Sequence, residues 1–374
     1  MNLNLSDEQL ALKETLRRFV AKDYSFKTRH DIIHSEEGIS ATHWAQFAEL
    51  GLLALPFAEE HGGLGGNAVD TMLVMEAIGS GLMVEPYLAT VVLAGGLVQD
   101  AGTEAQKNAL LPNIADGSLR MAFAHYEPSG RYEMSQVAMR AGRQADGYTL
   151  DGVKTFVVHG AQAAKLVVSA QDGAGLSMFI VDTEAEGVSV RGYVTQDNLR
   201  AAEITFNAVK VGAAALLGAA GDAEPAISRA LDAANAALCA EAVGAMDALN
   251  QATLEYLKTR KQFGVAIGSF QALQHRMVDM FTAATQARSM AILASIRVAS
   301  GTAEERRWAS AAAKVLVSES ARLVGQQAVQ LHGGMGVTDE LNVSHYFKRL
   351  TCICASFGDA DYHLGYVSGR LLAA

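Results

Sequence analysis

The sequence predicts an α+β chain of three blocks: helices over 1–119, a β domain over 120–220, and a helical bundle over 221–374. Three observations predict it. Apolar residues recur three and four apart in the first and last blocks, the period of a helix with one buried face. The middle block instead carries short apolar runs separated by Asp-Gly pairs. Helices, then strands, then helices again is an α+β order, not the strict alternation of a doubly wound sheet. With 374 residues, half of them hydrophobic, the chain can bury the cores of two or three domains.

The elements justify themselves in order. Ser6 is an N-cap with Gln9 three residues on, a capping box, and Leu5 and Leu10 stand where a hydrophobic staple would. Leu12, Leu16, Phe19 and Val20 continue as an apolar stripe. Further helices are expected around 41–50, 67–79 and 103–115. Residues 55–63 read as a loop closed by glycine turns. In the middle block, Asp146-Gly147 and Asp151-Gly152 each signal a hairpin. Leu166–Val168, Met178–Val181 and Glu203–Phe206 read as strands. After Pro225 three long helices are expected over 226–257, 270–300 and 303–331. In the last, Trp308, Ala312, Leu316, Ser320, Leu323 and Gln327 share a face, and the opposite side is also rich in Ala and Val. Such a helix is covered on most sides, in a bundle or at a subunit contact.

Composition removes several functions. The net charge is −10 and no Lys/Arg block stands out, which disfavours a general nucleic-acid binder. An acidic balance does not exclude an anionic ligand, because local cations decide that. Three cysteines, Cys239, Cys352 and Cys354, make no disulfide framework, and a reducing cytoplasm is the expected setting. The first residues lack the basic and apolar regions of a signal peptide. The apolar run 89–98 is too short to span a bilayer. Neither H-E-x-x-H nor C-x-x-C occurs, so no metal site is expected. Gly63-Leu64-Gly65-Gly66 follows a proline-containing loop, not a strand, and is not a dinucleotide fingerprint.

Two segments carry more specific chemistry. Thr259-Arg260-Lys261-Gln262-Phe263-Gly264 ends one long helix in a cationic pair and a glycine turn, and Phe270-Gln271 opens the next. Arg260 can make forked bonds to a phosphate, and Phe263 offers an aromatic face. Gln330-Leu331-His332-Gly333-Gly334-Met335-Gly336 ends the last long helix with three glycines in four positions. One glycine suffices for a helix cap; three let the backbone approach a ligand closely.

Together with Leu50–Phe57 and Glu60–Gly65, these segments resemble the FAD-binding family of acyl-CoA dehydrogenases over nearly the whole chain. His345–Thr351 followed by Phe357–Asp361 resembles the small-subunit branch typified by pimeloyl-CoA dehydrogenase, whose members pair with a distinct large subunit. That branch hints at dicarboxylyl, branched or ring-bearing acyl groups. The resemblance implies a homo- or hetero-oligomer in which Arg260, Phe263 and Gln271 hold a partner's FAD. Gln330, Gly333 and Gly334 would line the ADP part from the other side. His125, Glu127 and Ser129 on one strand-loop, and Phe156 and Val158 on a second strand, would face the flavin. It also implies an acyl-CoA substrate, removal of its α-proton by a carboxylate, hydride transfer to flavin N5, and an electron-transfer flavoprotein as acceptor.

The chain departs from that pattern at the base. The usual Glu near the C-terminus falls on Gly358. The alternative position, counted back from Arg260, falls at about Ala234-Asn235. The threonine that often touches flavin N5 is Val158. Asp359, one residue from the missing Glu, is the expected base; capping a turn is its structural alternative. The other functional expectation is an FAD-holding subunit whose Glu-bearing large partner performs proton abstraction. A flavin-dependent oxidase or monooxygenase shares the architecture and is a third.

Overall fold

A computed structural model describes residues 5–373. They form two compact units. One gathers the N-terminal stretch to Asp31, Ala68–Val84 and the chain from Asn235 onward; the other holds Ile32–Asn67 and Glu85–Ala234.

The first helices are α1 (Asp7–Asp23), α2 (Phe26–Ile33), α3 (Ala41–Glu49) and α4 (Ala68–Gly81). The Ser6–Gln9 capping box forms as read, and Leu16 and Phe19 are buried. Leu10, at the staple position, is half-exposed. The run read as merely apolar is π-helical over Leu88–Gly95 and passes into α5 (Gly96–Ala101), followed by α6 (Glu104–Ala115). Residues 89–95 are buried all round, so no polar face marked them as a helix. Among the described residues no helix is long and apolar enough to cross a membrane.

The middle block is an eight-stranded sheet. Its strands are β1 (Met121–Ala124), β2 (Arg140–Gln144), β3 (Gly147–Val158), β4 (Lys165–Gln171), β5 (Leu176–Asp182), β6 (Val188–Val194), β7 (Arg200–Gly212) and β8 (Leu216–Leu217). The order is β6-β7-β3-β2-β4-β5-β8, with β1 parallel to β4. Asp146-Gly147 closes the β2–β3 hairpin, Gln144 opposite Gly147. Asp151-Gly152 does not turn the chain. It lies inside β3, where the pairing with β7 shifts register between Leu150 and Gly152. An Asp-Gly pair serves a bulge as well as a turn, and only pairing distinguishes them.

The helical unit is built around three long helices: α7 (Glu224–Thr259), α8 (Gln271–Ser300) and α9 (Ala303–His332), with α10 (Asn342–Ala355) and α11 (Ala360–Ala373). Between α7 and α8, β9 (Lys261–Gln262) and β10 (Val265–Ala266) form a small hairpin. α9 packs against α8, α10 and α11. Its buried face is Ala313, Val317, Ala321, Val324 and Ala328, while Leu323 and Gln327 of the predicted stripe stay at least partly exposed. Small residues, not the large apolar ones, mark the packed face. α4 and α7 touch at the backbone: a Cβ at Gly79 would lie 1.9 Å from Glu241 O, and one at Gly244 would lie 1.9 Å from Glu76 O. Beside that contact Arg349 grips both carboxylate oxygens of buried Glu241. Bidentate, charge-assisted bonds fix orientation as well as proximity.

Candidate functional site

The helical unit presents one rim. Arg260 follows α7 and is exposed, and the β9–β10 turn is Phe263-Gly264. Both turn residues have positive φ, +52° and +82°. Such a two-residue turn suits glycine, and a phenylalanine there is strained. Its ring is 91% exposed. Gln271 starts α8, also exposed. At the end of α9, Gln330, Gly333 and Gly334 are exposed, and a Cβ at either glycine would meet nothing within 4 Å. The two segments meet within one chain. The Tyr256 ring stacks on His332 at 4.3 Å, and its hydroxyl donates to His332 O. Arg276, which the sequence reading passed over, bonds Gln327 between α8 and α9 on the same side. A cation, a bare aromatic ring and open glycine backbone fit an anionic pyrophosphate joined to a nucleobase, so these residues fit an adenine dinucleotide.

In the β unit the predicted residues divide. Ser129 and Phe156 are exposed and Val158 is half-buried. Phe156 sits at a second bulge of β3, between Lys154 and Val157, with φ +50°. That bulge turns its ring outward in an otherwise alternating strand. His125 and Glu127 are buried instead. The His125 ring stacks on Phe123, and its Nδ1 meets Ser169 Oγ at 2.9 Å. Burial, reinforced by the Lys154 charge, pulls its pKa down to about 3, so it is neutral. Glu127 is bound by Lys154 Nζ at 2.7 Å and by the amides of Ala138 and Met139.

The third cluster is the corner between α10 and α11. Lys314 on α9, fully buried, donates to Ser356 O and Gly358 O. Burial lowers its pKa to about 8. The intervening carbonyl, Phe357 O, accepts from Asn235 Nδ2 at 3.4 Å and His363 Nε2 at 3.1 Å. Burial holds the His363 pKa near 3, so the ring is neutral and its proton sits on Nε2. The two sequence positions at which an acid was sought thus meet: Asn235 bonds the peptide next to Gly358. Gly358 has φ +113°, and a Cβ there would lie 2.4 Å from His363 Nε2. Asp359 accepts from Tyr362 N through Oδ1 and caps α11. Lys314 and His363 were missed. The one available signal was a lone Lys inside the apolar run 311–317.

The chain matches the family models for the acyl-CoA dehydrogenase N-terminal domain over 6–118, middle domain over 122–209 and C-terminal domain over 225–372. It is 30% identical to a probable acyl-CoA dehydrogenase, YngJ of Bacillus subtilis, over the full length of both. The solved ChsE4–ChsE5 complex of Mycobacterium tuberculosis is similar at TM-score 0.91 and 25% identity, with all of both chains covered. PigA with FAD and proline is similar at TM-score 0.91 and 26% identity, with 99% of each chain covered. Rim, β unit and corner fall within these matches, and the chain belongs to the acyl-CoA dehydrogenase family of FAD-dependent oxidoreductases.

Proposed function

We propose that the chain binds FAD and dehydrogenates an acyl-CoA thioester between its α- and β-carbons, with Asp359 as the base. The observation that supports this most is the helical rim. Arg260, Phe263, Gln271, Gln330, Gly333 and Gly334 are all exposed on the helical unit and offer pyrophosphate and adenine contacts to FAD. When bound, FAD accepts the hydride that leaves the β-carbon. On the β unit, exposed Ser129 and Phe156 and half-buried Val158 would meet a flavin, with buried His125 and Glu127 behind them. Asp359 keeps Oδ2 for the α-proton while Oδ1 caps α11. The exposed apolar pair Val278 and Phe281, one turn apart on α8, suits burial against a second subunit. The electron acceptor is an electron-transfer flavoprotein. The test is anaerobic bleaching of the flavin by a panel of acyl-CoAs. Asp359→Asn keeps a capping side chain and removes the base, so bleaching should fall at least 100-fold, roughly the value of a general base. Bleaching at the parent rate would remove Asp359 from the role.

One observation favours a second reading. Asp359 already serves as a helix cap, and no acid stands at 358 or 235. A Glu-bearing large subunit would then supply the base, in an assembly of two different chains like the ChsE4–ChsE5 complex. Purification with its natural companions decides between them. A fully active preparation of this chain alone excludes the second reading.

A further inference from the structure

We propose that Lys154 and Glu127 are positioning residues: a buried clasp that holds the loop carrying Ser129 in register with the bulge carrying Phe156. The inference rests on the FAD reading above and assigns these two side chains a task within it.

The geometry leaves them no other. Lys154 has three ammonium protons and three acceptors: Glu127 Oε1 at 2.7 Å, His125 O at 3.1 Å and Ser169 Oγ at 3.1 Å. Glu127 Oε1 also accepts from Met139 N at 3.0 Å, and Oε2 accepts from Ala138 N at 2.7 Å. Both side chains are buried. Neither retains a polar atom with which to touch a cofactor.

What the clasp joins is specific. Between Glu127 and Ala138 the chain leaves the sheet for the loop 128–137, which carries exposed Ser129. The Glu127 carboxylate ties the start of that loop to the two amides at its end. Lys154 stands on β3 two residues before Phe156, and the β3–β7 register shifts between Lys154 and Val157. Next to it Thr155 N donates to Tyr126 O at 2.8 Å, a second bond between the same two segments. The ammonium therefore lies where loop and bulge meet, and its third bond reaches β4 through Ser169. Apolar side chains of equal volume would fill the space without fixing direction. A buried ion pair gives little net stability over such packing, but its bonds are directional, so its yield here is alignment.

The experiment compares FAD dissociation constants of the purified protein with those of Lys154→Met, Glu127→Gln and the double variant. Far-UV circular dichroism, thermal midpoint and the visible flavin spectrum are recorded on each. Lys154→Met strands a buried carboxylate and should lower the midpoint and weaken FAD at least tenfold. The double variant, with no charge left to strand, should recover the midpoint but not the affinity, and its flavin bands should remain shifted. FAD binding within twofold of the parent in the double variant, or affinity that recovers in step with the midpoint, overturns the clasp. If neither Met variant folds, Glu127→Gln decides by the same two affinity limits. A parent that takes up no FAD sinks the cofactor reading itself, which is a different result from a parent and variant that bind it equally.

Discussion

Two fully buried lysines organise the two units, and they are neutralised differently. Lys154 in the β unit meets a carboxylate, Glu127, which two backbone amides also hold. Lys314 in the helical unit meets only carbonyl oxygens, those of Ser356 and Gly358. Burial pulls both down to about pKa 8. The first is an ion pair, in which each partner makes the other's burial tolerable. The second is a cation solvated by peptide dipoles, with Asp359 acting on it through space but making no hydrogen bond to it.

Breaking the ion pair should have the largest effect on stability. Lys154→Met leaves Glu127 buried and unpaired, and the loss should be about 3–5 kcal/mol by denaturant titration. Lys314→Met should cost less, about 2 kcal/mol, since it strips donors from two carbonyls and strands no charge. Equal losses would mean that the two lysines are held alike.

The comparison also has a pH signature. The folded pKa of Lys314 lies below its unfolded value, so between about pH 8 and roughly 10.4 the unfolded chain binds more protons. Stability then rises with pH across that window, and below pH 8 the full penalty of burying the charge applies. Lys314→Met should remove its share of that alkaline rise and leave the share of Lys154, whose pKa is lowered alike. A rise of unchanged slope in the variant would assign it elsewhere.

The helix–strand–helix order was legible because period and turn chemistry are local. α7, α8 and α9 could be bounded to within a few residues. Residues 88–95 were not legible as a helix, because a segment buried on every side has no periodic contrast. The Asp151-Gly152 bulge was misread because its partner strand lies more than fifty residues away. The rim's residues were readable from motif, although their meeting through Tyr256 and His332 was not. The clasp and the corner were invisible for another reason: each joins residues from separate elements through one buried cation, and a lone Lys in an apolar run does not reveal its partner. The meeting of Asn235 with Phe357 is of the same kind, 122 residues apart in sequence.

Within the corner, a smaller effect tests why no acid stands at 358. Gly358→Ala should cost about 1–2 kcal/mol: φ +113° is a region that side chains rarely adopt, and the new methyl would press on His363 Nε2. Measured in Lys314→Met, the same substitution should cost less, because the corner is then free to relax. Strict additivity would show that Lys314 does not pin the corner.

The smallest effect on stability belongs to the tip of the rim, and there folding and binding should part. Phe263 is almost fully exposed, so its ring adds little to the core of its own unit, while its φ of +52° is unfavourable for any side chain. Phe263→Gly relieves that strain and also loosens the unfolded chain, and these oppose each other within about 1 kcal/mol. The thermal midpoint should therefore hardly move, while FAD affinity should fall about tenfold with the loss of a stacking face. Against Lys154→Met, where affinity and stability both drop, this variant separates a residue that touches the cofactor from one that aims those that do. A Phe263→Gly chain that keeps parental FAD affinity would leave the strained turn without a function at the rim.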